Sequence, residues 1–178
     1  LIIAKKHKRQ NLTFINPSWP KGAGFVAQIA IVLEKLRPDI QLEIVESRGD
    51  WNAVVSDVQH GFFHETPRAL ENVIVTPNTP NISEVYERSR VLLAPSFWWE
   101  SGSRVLAEAM INGIPTLVTN NGGSPEMVGD GGIVIDLPRS CFNFPYNNLP
   151  NSAQLSDTVK IIMHLWDDEA LYLNLVSK

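Results

Sequence analysis

The chain has 178 residues, 44% of them hydrophobic, enough to bury one sizeable core and short for two domains. A formal charge of -4 argues against an extended surface for nucleic acid or anionic membrane, so a small molecule is the expected partner. With Cys141 as the only cysteine, a disulfide framework and a cysteine-rich zinc site are both excluded, and no apolar run approaches the roughly 20 residues of a membrane span; a cytoplasmic, reducing setting and no transmembrane segment are expected.

In chain order, the sequence opens on Leu1 and the basic run Lys5-Lys6-His7-Lys8-Arg9, without the apolar stretch of a signal peptide, and reads as a piece of a longer protein. The sequons at Asn11 and Asn81 would matter only in a secreted chain. A strand is predicted over 12–16, followed by the loop Asn16-Pro17-Ser18-Trp19-Pro20-Lys21-Gly22-Ala23-Gly24. That loop delivers a lysine and two glycines to a helix start, an arrangement that suits phosphate but equally describes an ordinary loop with a solvated lysine. It is not a P-loop, because the Gly-Lys-Ser/Thr order is absent. Phe25, Ile29, Val32 and Leu36 then recur at helical spacing until Pro38. A second strand is expected over 41–46, with Arg48-Gly49 after it as a weaker candidate for a second cation. Asp50 can cap a helix running through Val58.

A third strand is read over 72–75, and Asn81 with Glu84 forms a capping-box-like start for a helix through Glu87. A fourth strand over 91–95 leads into Ser96-Phe97-Trp98-Trp99-Glu100-Ser101-Gly102-Ser103-Arg104. Glu100 is placed at the mouth of this strand-to-helix turn and Glu108 about two turns along the helix, on an apolar face with Val105 and Met110 to Ile111. Gly102 admits close backbone approach, and the first helical amides have no intrahelical acceptor. A half-buried Glu108 needs a partner: ribose hydroxyls qualify, but spacing alone favours a salt bridge to Arg104 at i, i+4. The tryptophan pair suits stacking on a sugar or base, although such pairs more often pack in a core or an interface.

A fifth strand over 116–119 precedes Asn120-Asn121-Gly122-Gly123-Ser124-Pro125, with Ser124 as the expected N-cap. Those glycines are explained as well by a tight connection as by an anion site. A sixth strand over 133–136 gives way to residues 137–151, a proline- and asparagine-rich loop of functional or packing interest. Two helices broken near Asp167-Asp168 close the chain. Strands alternating with amphipathic segments throughout predict an α/β fold with an open parallel sheet of about six strands flanked by helices, and ligands in such sheets bind at the carboxyl ends of the strands. Scattered His7, His60, His64 and His164 argue against a catalytic metal site, and neither a serine elbow nor a dinucleotide fingerprint is present.

Several of these segments together carry a family resemblance. The order Pro95-Ser96, Glu100, then Glu108-Ala109-Met110, Asn112-Gly113-Ile114-Pro115, Gly122-Gly123-Ser124-Pro125-Glu126 and Gly129-Asp130-Gly131-Gly132 resembles the carboxyl-terminal domain of group 1 (family 4) glycosyltransferases. The resemblance implies one Rossmann-like half of a GT-B enzyme, here residues 1–178 as a single donor-binding domain, with the amino-terminal acceptor domain absent. It implies a nucleotide-diphosphate sugar as co-substrate, no separate cofactor, no metal, and transfer with retention. By position Glu100 would contact the donor sugar, Glu108 the ribose, and Lys21 the diphosphate, assisted by amides around Gly102-Ser103 and Gly22. Arg104, Gly122, Gly123 and Arg48 complete the expected donor site, and residues 75–77 are a guess for the base. The family's aromatic residue and glycine after the first glutamate are replaced by Gly102-Ser103, and its usual arginine before the lysine by Asn16. Arg48 or Arg104 is the candidate replacement. A sugar-nucleotide epimerase domain of the same fold, or a non-catalytic scaffolding domain, remains as an alternative, and the chain alone is expected to bind donor weakly and transfer nothing.

Overall fold

A computed structural model describes residues 9–178; the basic run before Arg9, with His7, lies outside the described residues. Six strands form one sheet: β1 (Asn11–Ile15), β2 (Leu42–Val45), β3 (Val73–Thr76), β4 (Ser89–Ala94), β5 (Thr116–Thr119) and β6 (Gly132–Ile135). All pair in parallel, in the order β3-β2-β1-β4-β5-β6. Each strand prediction therefore holds within a residue or two. β4 ends at Ala94, one residue before the expected limit, because Pro95 has no N–H for a ladder.

Parallel pairing requires a crossover between strands, and the helices supply two layers. Alternation along the strands sends Leu12 and Phe14 to one face and Thr13 and Ile15 to the other. The first face carries the larger core, where α1 (Ala23–Leu36), α2 (Trp51–Val58), α6 (Ser152–Asp167) and α7 (Glu169–Val176) cover Leu12, Leu42, Val91 and Leu117. Phe25 and Ile29 of α1 are wholly buried, as their spacing predicts, but Val32 is only partly buried and Leu36, in the last turn, is exposed, the deep contact there passing to Leu33. The second face is smaller, with α3 (Ile82–Arg88), α4 (Arg104–Ile111) and α5 (Ser124–Val128) over Leu92 and Val118. It also encloses polar groups. Glu43 of β2 is buried there and accepts hydrogen bonds from Asn11 Nδ2 (2.9 Å), Thr76 Oγ1 (2.9 Å) and Arg88 Nη2 (2.6 Å).

Local signals hold unevenly. Asp50 caps α2 through Ala53 N–H (3.1 Å), and Asn151 with Gln154 forms a full capping box on α6. Asn81 does not cap α3: its side chain is taken by Glu84 and Ser83 instead of the helix amides. Ser124 is the first residue of α5, and Gly123 takes the N-cap place. Met110 and Ile111 are exposed, since the core-facing stripe of α4 is Leu106 and Ala109. The loop after β6 is a packing element: Cys141 and Tyr146 are buried, and Pro150 O accepts from Gln28 Nε2 of α1 (3.1 Å). Asn11 is buried too, so that sequon is closed to modification. Among the described residues no helix is long and apolar enough to cross a membrane, and no group of three or more His, Cys, Asp or Glu stands ready for a metal.

Candidate functional site

The strand order reverses between β1 and β4, so the loops leaving their carboxyl ends diverge and open a crevice. A cleft of about 600 Å³ lies there, lined by Lys21 from the β1 loop, Arg48 from the β2 loop, and Glu100, Gly102, Ser103 and Arg104 from the β4 loop and the start of α4. A second hollow of about 290 Å³ adjoins it, sharing Ile15, Ser47, Arg104 and Val105, and adds Tyr86, Glu108, Asn78 and Thr79 to the wall. Six of the ten predicted residues thus line the cleft, and Glu108 lines its extension.

The loops are fastened to one another through their backbones. Lys21 ends a 3-10 turn (Trp19–Lys21) whose Pro20 carbonyl accepts from Phe97 N–H (2.9 Å) and Trp98 N–H (2.8 Å) of the β4 loop. Gly22 follows in the left-handed region at φ 81, and a Cβ there would stand 2.1 Å from Pro95 O. The amides of Lys21, Gly22 and Ala23 already donate to Ser18 and Trp19 carbonyls. What this turn offers a ligand is therefore the lysine side chain. On the other flank, Gly123 N–H donates to Glu100 O (2.6 Å), and a Cβ on Gly122, at φ 65, would lie 2.5 Å from the same oxygen. Gly22, Gly122 and Gly123 accordingly sit behind the cleft, where they hold its loops in register.

Lys21 Nζ donates directly to Glu100 Oε1, and Ser96 Oγ lies 3.3 Å from that oxygen. The carboxylate is about one tenth exposed. Burial and then the Arg48 guanidinium pull the Lys21 ammonium below its ordinary pKa, against Glu100, which favours the charged form. At the far end, Glu108 Oε2 accepts from the Tyr86 hydroxyl (2.7 Å). Burial, reinforced by that bond, pushes the Tyr86 phenol well above the usual range, so it remains a donor. The expected Arg104 partner is present but loose: Nε stands 3.7 Å from Glu108 Oε1 on a side chain 89% exposed. Such a pair contributes little. Spacing therefore pointed to the weaker of two partners; the stronger, Tyr86, comes from α3 and left no signal near Glu108 in the sequence.

The start of α4 faces the cleft with Ser103 as an N-cap that makes no side-chain cap bond. The first amides of the helix are thus without an intrahelical acceptor. A Cβ on Gly102 would meet nothing within 4 Å, so the backbone there is open to close approach. Trp98 and Trp99 are both exposed, and Trp98 stands over the cleft edge against Tyr146; Phe97 is the buried aromatic of the three. Val75 lines a separate hollow with Trp51 and Leu70, away from the cleft, whereas Asn78 and Thr79, just beyond the guessed segment 75–77, line the hollow beside Glu108.

Comparison with known proteins adds the family. Spore coat protein SA of Bacillus subtilis (strain 168) is 31% identical over 117 residues, covering 62% of this chain and 30% of that protein. D-inositol 3-phosphate glycosyltransferase of Paenarthrobacter aurescens (strain TC1) is 32% identical over 120 residues, covering 65% of this chain and 29% of its own length. The chain thus spans about 30% of the length of these curated relatives. Among solved structures, Anabaena Alr3699/HepE in complex with UDP-glucose superposes with a TM-score of 0.65 at 18% identity, covering 94% of this chain and 42% of that one, and so shares the fold. Residues 24–140, from the first turn of α1 past the Gly-Gly loop and β6, match the family described as Glycosyl transferases group 1, and the chain belongs to that family.

Proposed function

We propose that this chain is the donor-binding half of a glycosyltransferase, holding a nucleotide-diphosphate sugar whose sugar passes, with retention, to an acceptor on another domain. The observation that carries the reading is the pairing of Lys21 with Glu100 at the strand-order switch, with Glu108 and Tyr86 at the other end of the same crevice. A diphosphate lying between these ends would meet Lys21 and the first amides of α4. The sugar would face Glu100, the ribose Glu108, and the base the loop with Asn78 and Thr79. As the glycosidic bond breaks, negative charge grows on the leaving diphosphate, and a fixed ammonium and helix start act where that charge develops.

Binding changes the partners of Lys21. Its charge is matched by Glu100; a phosphate that draws it away leaves the Glu100 carboxylate to accept from sugar hydroxyls. Glu108 is differently placed, because Tyr86 occupies Oε2 and leaves Oε1 turned to a weak, solvated partner. The coverage of about 30% of the relatives' length supports a further domain that binds acceptor. A cytoplasmic setting fits the free, buried thiol of Cys141.

Calorimetric titration with UDP, GDP, ADP and their hexose conjugates tests the reading. One nucleotide should be preferred, and its conjugate should bind at least as tightly. Binding to none at millimolar ligand, with the fold verified, would favour a scaffold, and release of altered sugar nucleotide without an acceptor would favour an epimerase.

A further inference from the structure

We propose that Arg48 is the second cation of the diphosphate site and that Asn16 is the residue that positions it. The inference rests on the nucleotide-sugar reading above.

Charge is the first argument. Three cations line the cleft: Lys21, Arg48 and Arg104. Lys21 is matched by Glu100 and Arg104 stands near Glu108, whereas no carboxylate among the described residues pairs with the Arg48 guanidinium. A guanidinium keeps its charge at all ordinary pH values and presents a planar fork of donors suited to phosphate oxygens. A diphosphate carries more negative charge than one lysine can match. Arg48 lines the same cleft as Lys21 and is close enough to destabilise its charged form, so the two cations repel each other across it. An anion between them turns that repulsion into two attractions.

Position is the second argument. Arg48 sits on the loop after β2, and that loop is bound to the β1 loop, which carries Lys21. Asn16 takes the left-handed conformation at φ 66, uncommon for a residue other than glycine, and its Oδ1 accepts from Arg48 N–H (3.3 Å). Asn16 N–H itself donates to Val45 O (2.9 Å), so the residue bridges the ends of both strands. Beside it Gly49 lies flat on the β1 loop: a Cβ there would stand 2.0 Å from Pro17 O. The two loops form one wall, and Arg48 projects from a fixed backbone.

The test is titration of the full chain with inorganic pyrophosphate, which needs no knowledge of the base, and with UDP, GDP and ADP. Arg48→Ala should weaken pyrophosphate and the preferred nucleoside diphosphate by about tenfold, with an unchanged amide spectrum away from the loop. Asn16→Gly keeps the left-handed backbone and removes the side-chain acceptor; it should weaken both by about threefold in the wild-type background and by nothing further beside Arg48→Ala. That loss of additivity is what an independent structural role would not produce. Wild-type affinity in Arg48→Ala, while Lys21→Ala loses binding, would overturn the role of Arg48 and leave the donor-site reading standing. Additive losses in the double variant would remove Asn16 as the positioning residue. Failure of the wild-type chain to bind any of the four ligands would sink both proposals.

Discussion

Glu100 and Glu108 stand at opposite ends of one crevice, and their surroundings differ in kind. Glu100 is held by an ammonium and is nearly buried, on a loop whose carbonyl is fixed by Gly123. Glu108, on a regular helix that lines the hollow, is held by a neutral phenol, and its second oxygen has only the loose Arg104 contact. An acid held by a cation has to exchange that partner when an anionic ligand arrives, whereas an acid held by a neutral donor is already poised to accept. On the proposed reading, the first end of the cleft is a switch of ion pairs, and the second is a preorganised acceptor.

Variants can break or sharpen this contrast. The largest effect belongs to Lys21→Ala, expected to cost about 100-fold in affinity for pyrophosphate and nucleoside diphosphates by calorimetry, since a charge-assisted contact is lost and Glu100 is left as an uncompensated negative charge beside the phosphate. A loss of under threefold would show that the two ends do not differ as described. Glu108→Ala should weaken free nucleotide and conjugate alike by about tenfold and leave pyrophosphate unchanged. Glu100→Gln should divide the ligands instead, tightening pyrophosphate by about fivefold as Lys21 is freed while weakening the sugar conjugate relative to the free nucleotide. Equal losses for every ligand in both carboxylate variants would erase the distinction. Tyr86→Phe should reduce nucleotide affinity by about threefold, because Glu108 loses the donor that orients it.

Glu43 provides the control with the smallest expected effect on binding, an acid on the same face of the sheet that never has to release its partners. Burial raises its carboxyl pKa, but the bonds from Arg88, Asn11 and Thr76 outweigh that and hold it below the usual carboxylate range. A folded pKa below the unfolded value gives stability that is present in full above the unfolded pKa, about 4.3 for glutamate, and is lost as pH falls through the folded value. Urea unfolding across that window should show the loss, and Glu43→Gln should flatten it without changing pyrophosphate affinity at neutral pH.

The six strands were legible because each is a short β-branched run between amphipathic helices, and their face alternation is written in pairs such as Leu12 and Phe14 against Thr13 and Ile15. The cleft residues near the ends of β1, β2 and β4 were legible for the same reason, since a parallel sheet sends its ligands to those loops. Tyr86 was not, because its hydroxyl meets Glu108 only after α3 and α4 pack side by side on the second face. The failed cap at Asn81 was equally hidden: its side-chain bonds to Ser83 and Glu84 compete with the helix amides at similar strength, and sequence alone does not rank them.

By itself, then, the sequence determined the α/β alternation, the family and the charged groups at the rim, because periodicity and motif order are properties of the chain read locally. Which carboxylate pairs with lysine and which with tyrosine, and which glycines hold loops in register behind the cleft, was decided by tertiary structure. Those outcomes depend on distances between loops from β1, β2, β4 and β5 that only the completed sheet sets, and a hydrogen bond or ion pair is decided within an ångström.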